Sequence, residues 1–217
     1  MASDWNALRS EYNGQVLSWE QKDDMQKLLT MIQVETVDAL NAALEYSYLL
    51  DFVDNHLSFV NKSPLFWSET MKSMRFTTVM RAARLFDESR DALSLKKVFN
   101  KLEQSAYRNA VAIELQTCKK QYDTYHDCIE EIRTLQDKQF AHNDEKEFQF
   151  WKHPREKDLE FEGEFWWKLE EMLRWARDTI LMLRTLIGDG FPVNNEIRND
   201  LSGLLPITYN IFRTIEK

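Results

Sequence analysis

Apolar side chains recur every three to five positions along most of this chain, the repeat that one face of an α-helix makes and a strand does not. From Gln21 to about Asn55 they fall at Leu28, Met31, Ile32, Val37, Leu40, Leu44, Leu49, Phe52 and Val53, with no Gly or Pro between them. That pattern predicts one long amphipathic helix, with Glu45, Tyr46 and Tyr48 read as its ordinary surface. Ser63-Pro64 predicts the next start, a capping hydroxyl followed by a proline whose missing N–H costs nothing in a first turn. Met71, Met74, Phe76, Val79, Met80, Ala83 and Leu85-Phe86 carry that helix onward, and Arg84 and Asp87 are spaced to meet as an ion pair. Glu88 to Asp91 breaks the pattern, and Ser94 to about Tyr107 resumes it as a shorter helix.

Asn109 to Phe140 reads as another long helix, with Val111, Ile113, Leu115, Cys118, Tyr122, Tyr125, Ile129, Ile132 and Leu135 on the buried side. Glu145 to Gly163 mixes Phe148, Phe150, Trp151, His153-Pro154 and Phe161 with charge, and reads as a loop: a lid over a site, or a connection whose aromatics plug into the bundle. Clean spacing returns from Phe165 to Ile187 and stops at Gly188-Asp189-Gly190. The last segment, Asn194 to Ile215, carries Pro206 as a kink, and residues 1–20 form a short helix or irregular lead-in. The expectation is a single all-α domain over residues 1–217, an antiparallel bundle of about six helices with the 194–215 helix packed on it.

Composition agrees and narrows the partners. Only 5 Gly and 4 Pro occur in 217 residues, too few punctuators for many short strands. The net charge of -8 argues against a surface coated with base for non-specific nucleic-acid binding. No basic leader or long apolar run is present, so the chain reads as cytoplasmic and not membrane-bound. Cys118 and Cys128, ten apart on one predicted helix, would lie ~15 Å apart and stay reduced. The four histidines show no zinc spacing with Cys or carboxylates, so neither metal nor other cofactor is expected.

The chemistry concentrates in the window from Ile132 to Asp144. Gln136-Asp137-Lys138-Gln139-Phe140-Ala141-His142-Asn143-Asp144 resembles the signature of the HEPN superfamily, in which an arginine and a polar residue precede a histidine at a helix end. The abortive-infection U-type branch, with a motif similar to Arg-Asp-Lys-x-x-Ala-His-x-Asp, is the nearest in pattern, and Ala83-Arg84-Leu85-Phe86-Asp87 followed by Ser94-Leu95 also resembles it. The resemblance spans about residues 20 to 190. It implies a helical bundle, usually dimeric, with two motifs facing each other across a cleft. Many members are metal-independent ribonucleases of abortive-infection, toxin–antitoxin or RNA-processing systems, and others only bind nucleotide, RNA or a protein such as an antitoxin. By that resemblance His142 handles protons with Asp137 and Lys138 beside it, while Gln136, Asn143, Asp144, Arg81 and Arg84 are binding candidates.

One position departs from the pattern. The arginine expected six residues before His142 is Gln136, a neutral amide that cannot act as a bidentate cation for a phosphate. On a straight helix Arg133 would lie ~13.5 Å from His142 along the axis and about 180° around it, which makes it a poor substitute. Lys138, or Arg81 or Arg84 from a partner subunit, would have to supply the charge if RNA is cleaved. Otherwise the cleft only binds RNA or nucleotide, or the polar cluster merely caps a helix.

Overall fold

The computed structural model describes residues 19–89, 92–105, 108–109, 111–137 and 156–187, with side chains from Asp24 and from Gly163 onward in the first and last stretches. Seven helices lie within these residues: α1 (Trp19–Asn55), α2 (Leu57–Val60), α3 (Pro64–Leu85), α4 (Leu95–Gln104), α5 (Ala112–Thr124), α6 (His126–Thr134) and α7 (Glu156–Leu186). The all-α expectation holds, with α2 a single turn that the spacing did not announce. The predicted helix over 194–215, the lead-in up to residue 18 and the Gly188–Gly190 stop lie outside the described residues, and the last two residues of the lead-in already belong to α1.

α1 is the central element and packs along both α3 and α7. Its pairings set the directions. Moving from Asp38 to Phe52 on α1 takes the partner from Arg81 to Trp67 on α3, an equal step in the opposite sense, so the two helices are antiparallel. Gln33 meets Arg184 and Tyr46 meets Trp166, which makes α7 antiparallel to α1 as well. Close approach is allowed because Ala39, Ala43, Ala82, Ala83 and Ala176 are buried, and small contact residues shorten the interaxial distance. Around them Leu29, Ile32, Leu40, Leu85, Ile132, Leu169 and Leu173 are essentially solvent-free, each contributing roughly 1.5–3 kcal/mol by burial. A smaller cluster of Leu49, Phe52, Val60 and Trp67 seals the α1–α3 turn.

Five local expectations are corrected. The helix predicted over 109–140 is two helices, because the Tyr125 N–H bonds to the Tyr122 carbonyl, three residues back, at φ -93° and ψ 7°. The break turns α6 independently of α5 and lets the Tyr125 ring pack 5.3 Å from Trp175. The loop predicted to reach Gly163 gives way to α7 at Glu156, two residues after Pro154, where an acidic first turn suits the helix dipole and Gly163 is carried within the helix. Ser63 makes no side-chain cap bond, so Pro64 alone marks that start, and α4 ends at Gln104, short of Tyr107. Tyr46, read as surface, is buried with its ring 4.5 Å from Trp166.

Candidate functional site

The motif window begins where α6 ends. After Thr134 the backbone widens into a π-type turn over 135–137, so Gln136 and Asp137 do not continue the α-helical screw. Such single π turns break the 100° step on which a straight-helix projection depends, and they are frequent at functional positions. Leu135 is buried, Gln136 half-buried and Asp137 exposed. His142, Lys138, Asn143 and Asp144, the other predicted site residues on this segment, lie outside the described residues.

Charged groups meet beside this turn. α3 ends at Leu85 with Phe86 sealed in the core, and the Asp87 carboxylate then accepts the Ser89 N–H at 2.7 Å, which bends the chain away and presents Glu88. On the far side Ser94 caps α4 by accepting the Lys97 N–H at 3.4 Å, placing Lys96 in the first turn. Glu88 therefore stands between two helices. Its Oε1 accepts from Lys96 Nζ at 2.8 Å and its Oε2 lies 3.1 Å from Arg133 Nη2 on α6. Arg133 also donates to Glu130, one turn back on its own helix. The Lys96 hydrogen bond, opposed by burial and reinforced by Arg133, holds the Glu88 carboxyl below its ordinary value. Burial works to lower the Arg133 guanidinium, but the hydrogen bond and charge of Glu88 outweigh it and raise the group.

Beneath these charges sits Tyr122 of α5, 8% exposed, its ring against Phe86, Phe99 and Trp175. Its hydroxyl is buried with no hydrogen-bond partner. Burial first, then the nearby negative charge of Glu88, push the phenol well above its ordinary value, with Arg133 opposing.

Of the remaining predicted binding residues, Arg81 donates to Asp38 of α1 at 2.8 Å. Arg84 is exposed in the last turn of α3 and does not form the expected pair with Asp87, whose carboxylate is turned to Ser89. The fold thus brings Arg84, Glu88, Lys96, Arg133, Gln136 and Asp137 to one end of the bundle and commits Arg81 to the α1–α3 interface. An open groove of about 550 Å³, lined by Leu65, Phe66, Glu69, Thr70, Ser73 and Met74, lies near the other end of α3, roughly 25 Å away at 1.5 Å per residue. It carries none of this chemistry.

Sequence reasoning passed over Glu88, Lys96 and Tyr122. Glu88 and Lys96 looked like a pattern break and a solvated helix start, and Tyr122 like a core marker. The one available signal was a hydroxyl-bearing ring on an otherwise apolar face. Both cysteines are free, as expected, and both are buried; burial pushes the Cys128 thiol up to about 12 and raises that of Cys118. Among the described residues no group of three or more His, Cys, Asp or Glu could hold a metal ion, and no helix is long and apolar enough to cross a membrane.

The end of α3 that carries Arg84 and the end of α6 where the motif window begins thus lie together in an all-helical bundle. The family model HEPN_AbiU2, described as AbiU2, matches residues 26–183, and the chain belongs to that family, the abortive-infection U-type branch of the HEPN superfamily. No curated protein and no solved structure matches it.

Proposed function

We propose that this chain is the defence-type HEPN protein of a prokaryotic abortive-infection or stress system and binds RNA or nucleotide in a cleft around His142 without turning it over. The carrying observation is Gln136, which stands where the motif needs an arginine. A side-chain amide can hold a phosphate oxygen by hydrogen bonds, but it offers no positive charge to the phosphorane that forms when a ribose 2′-hydroxyl attacks. The nearest described cation on the same helix, Arg133, is engaged by Glu88 and Glu130. In this reading His142, Asp137 and Lys138 keep the positions of the motif while Asn143, Asp144 and Arg84 help hold the ligand. A homodimer sharing the cleft, and an antitoxin or other defence protein as its partner, belong to the same proposal.

The test compares RNA binding and EDTA-resistant RNA cleavage by wild type, His142→Ala and Gln136→Arg. Binding by wild type that is weakened in His142→Ala, with cleavage emerging only in Gln136→Arg, is the expected result. Cleavage by the wild type that disappears in His142→Ala would identify an active ribonuclease using a substitute cation, and RNA or nucleotide binding indifferent to His142 would defeat the reading.

A further inference from the structure

We propose that Lys96 and Arg133 form a phosphate-binding subsite that Glu88 occupies in the free protein, its carboxylate standing in for the phosphate of an RNA or nucleotide ligand. The inference deepens the function proposed above and rests on it. The geometry is that of an anion cradle: two cations from different helices, α4 and α6, converge on the two oxygens of one carboxylate at 2.8 and 3.1 Å. The anion is supplied by the connection between α3 and α4, pinned on either side by the Asp87–Ser89 turn and the Ser94 cap.

Three observations make Glu88 an exchangeable occupant. The side chains of Glu88, Lys96 and Arg133 are 37%, 45% and 32% exposed, so a ligand can reach them and water already competes for the pair. Exposed ion pairs of this kind contribute little to folding, so their loss is easily replaced by contacts to a phosphodiester, which carries the same single charge as the carboxylate and suits the guanidinium fork as well. The Tyr122 hydroxyl is buried without a partner, a donor that the Glu88 carboxylate does not engage. In this proposal Arg133 and Lys96 hold a ligand phosphate beside the motif, and the Gln136 position itself stays without a cation.

The probe is a short fluorescein-labelled single-stranded RNA, with inorganic pyrophosphate as competitor. Glu88→Gln and Glu88→Ala each tighten RNA binding about tenfold, the worth of one charge-assisted hydrogen bond. Adding Arg133→Ala or Lys96→Ala abolishes the gain, and Arg133→Ala also lowers the salt slope by about one. Glu103→Gln, which removes the same charge at the Lys119 pair about two turns along α4 from Lys96, leaves binding unchanged. The inference is overturned if Glu88 variants bind no better, if Glu103→Gln gains equally, or if the gain survives both cation deletions. Binding that falls in His142→Ala but ignores Glu88 keeps the cleft and removes this subsite. A Glu88 gain that persists in His142→Ala keeps the subsite and removes the cleft around His142, and no binding by any variant overturns both.

Discussion

Replacing Tyr122 by phenylalanine removes a single oxygen from the least satisfied position near the site. The ring is held by Phe86, Phe99 and Trp175, and the residue is 8% exposed, so the substitution keeps the packing and creates no cavity. The hydroxyl has lost its water on folding and gained no partner. A buried polar group left unsatisfied costs about 1–3 kcal/mol, and Tyr122→Phe returns part of that, about 1 kcal/mol. For a chain of this size that is a rise in Tm of about 2–4 °C, measurable by differential scanning calorimetry. If the hydroxyl is held for a ligand, the same variant binds RNA more weakly in the Glu88→Gln background, so stability and binding move in opposite senses. An unchanged or lowered Tm would refute the claim that the hydroxyl is unsatisfied, and a raised Tm with unaltered binding would refute its part in the subsite.

Other outcomes follow from the same contacts. Gly163 lies exposed inside α7, and a Cβ built there meets nothing within 4 Å, so Gly163→Ala stabilises the protein by about 1 kcal/mol in urea unfolding. Leu169→Ala empties a fully buried position between helices and costs about 2–5 kcal/mol in the same assay. Because the Glu88 carboxyl is lowered from 4.5 in the folded state, its pairing stabilises the protein at pH values above 4.5 and is lost as pH falls through the lower folded value. Since the pair is exposed, its worth is at most about 1 kcal/mol, read as a smaller acid-side fall in urea midpoint for Glu88→Gln than for wild type. With its thiol pushed up to about 12, Cys128 resists iodoacetamide in the folded protein at pH 8 and reacts once urea unfolds it, a difference visible by intact-mass analysis.

Much of this architecture was written in one-dimensional spacing. The runs that form α1 and α3, and most of α7, hold uninterrupted helical periodicity. Burial of one face is a local demand that the sequence must meet wherever the helix lies. Pro64 and Ser94 mark starts for reasons contained within a few residues. The motif around Gln136, with Arg84-Leu85-Phe86-Asp87 upstream, was legible for the same reason, and the family match over residues 26–183 agrees with it. What escaped depends on neighbours far away in the chain. Tyr125 ends a helix because α6 must turn toward α3 and α7, a requirement no local propensity encodes. Tyr46 is buried only because Trp166 lies opposite it.

The sequence by itself determined the helical class, the course of the helices that form α1 and α3, and the presence of Gln136 rather than a cation at its position. Only the tertiary structure decided where charge goes. Asp38 claims Arg81, Asp87 turns from Arg84 to a backbone N–H, and Glu88 joins Lys96 to Arg133. Helical spacing can say which side chains share a face of one helix. Which carboxylate from another helix arrives there is set by packing of the whole core, and with it whether an arginine is already held by an anion.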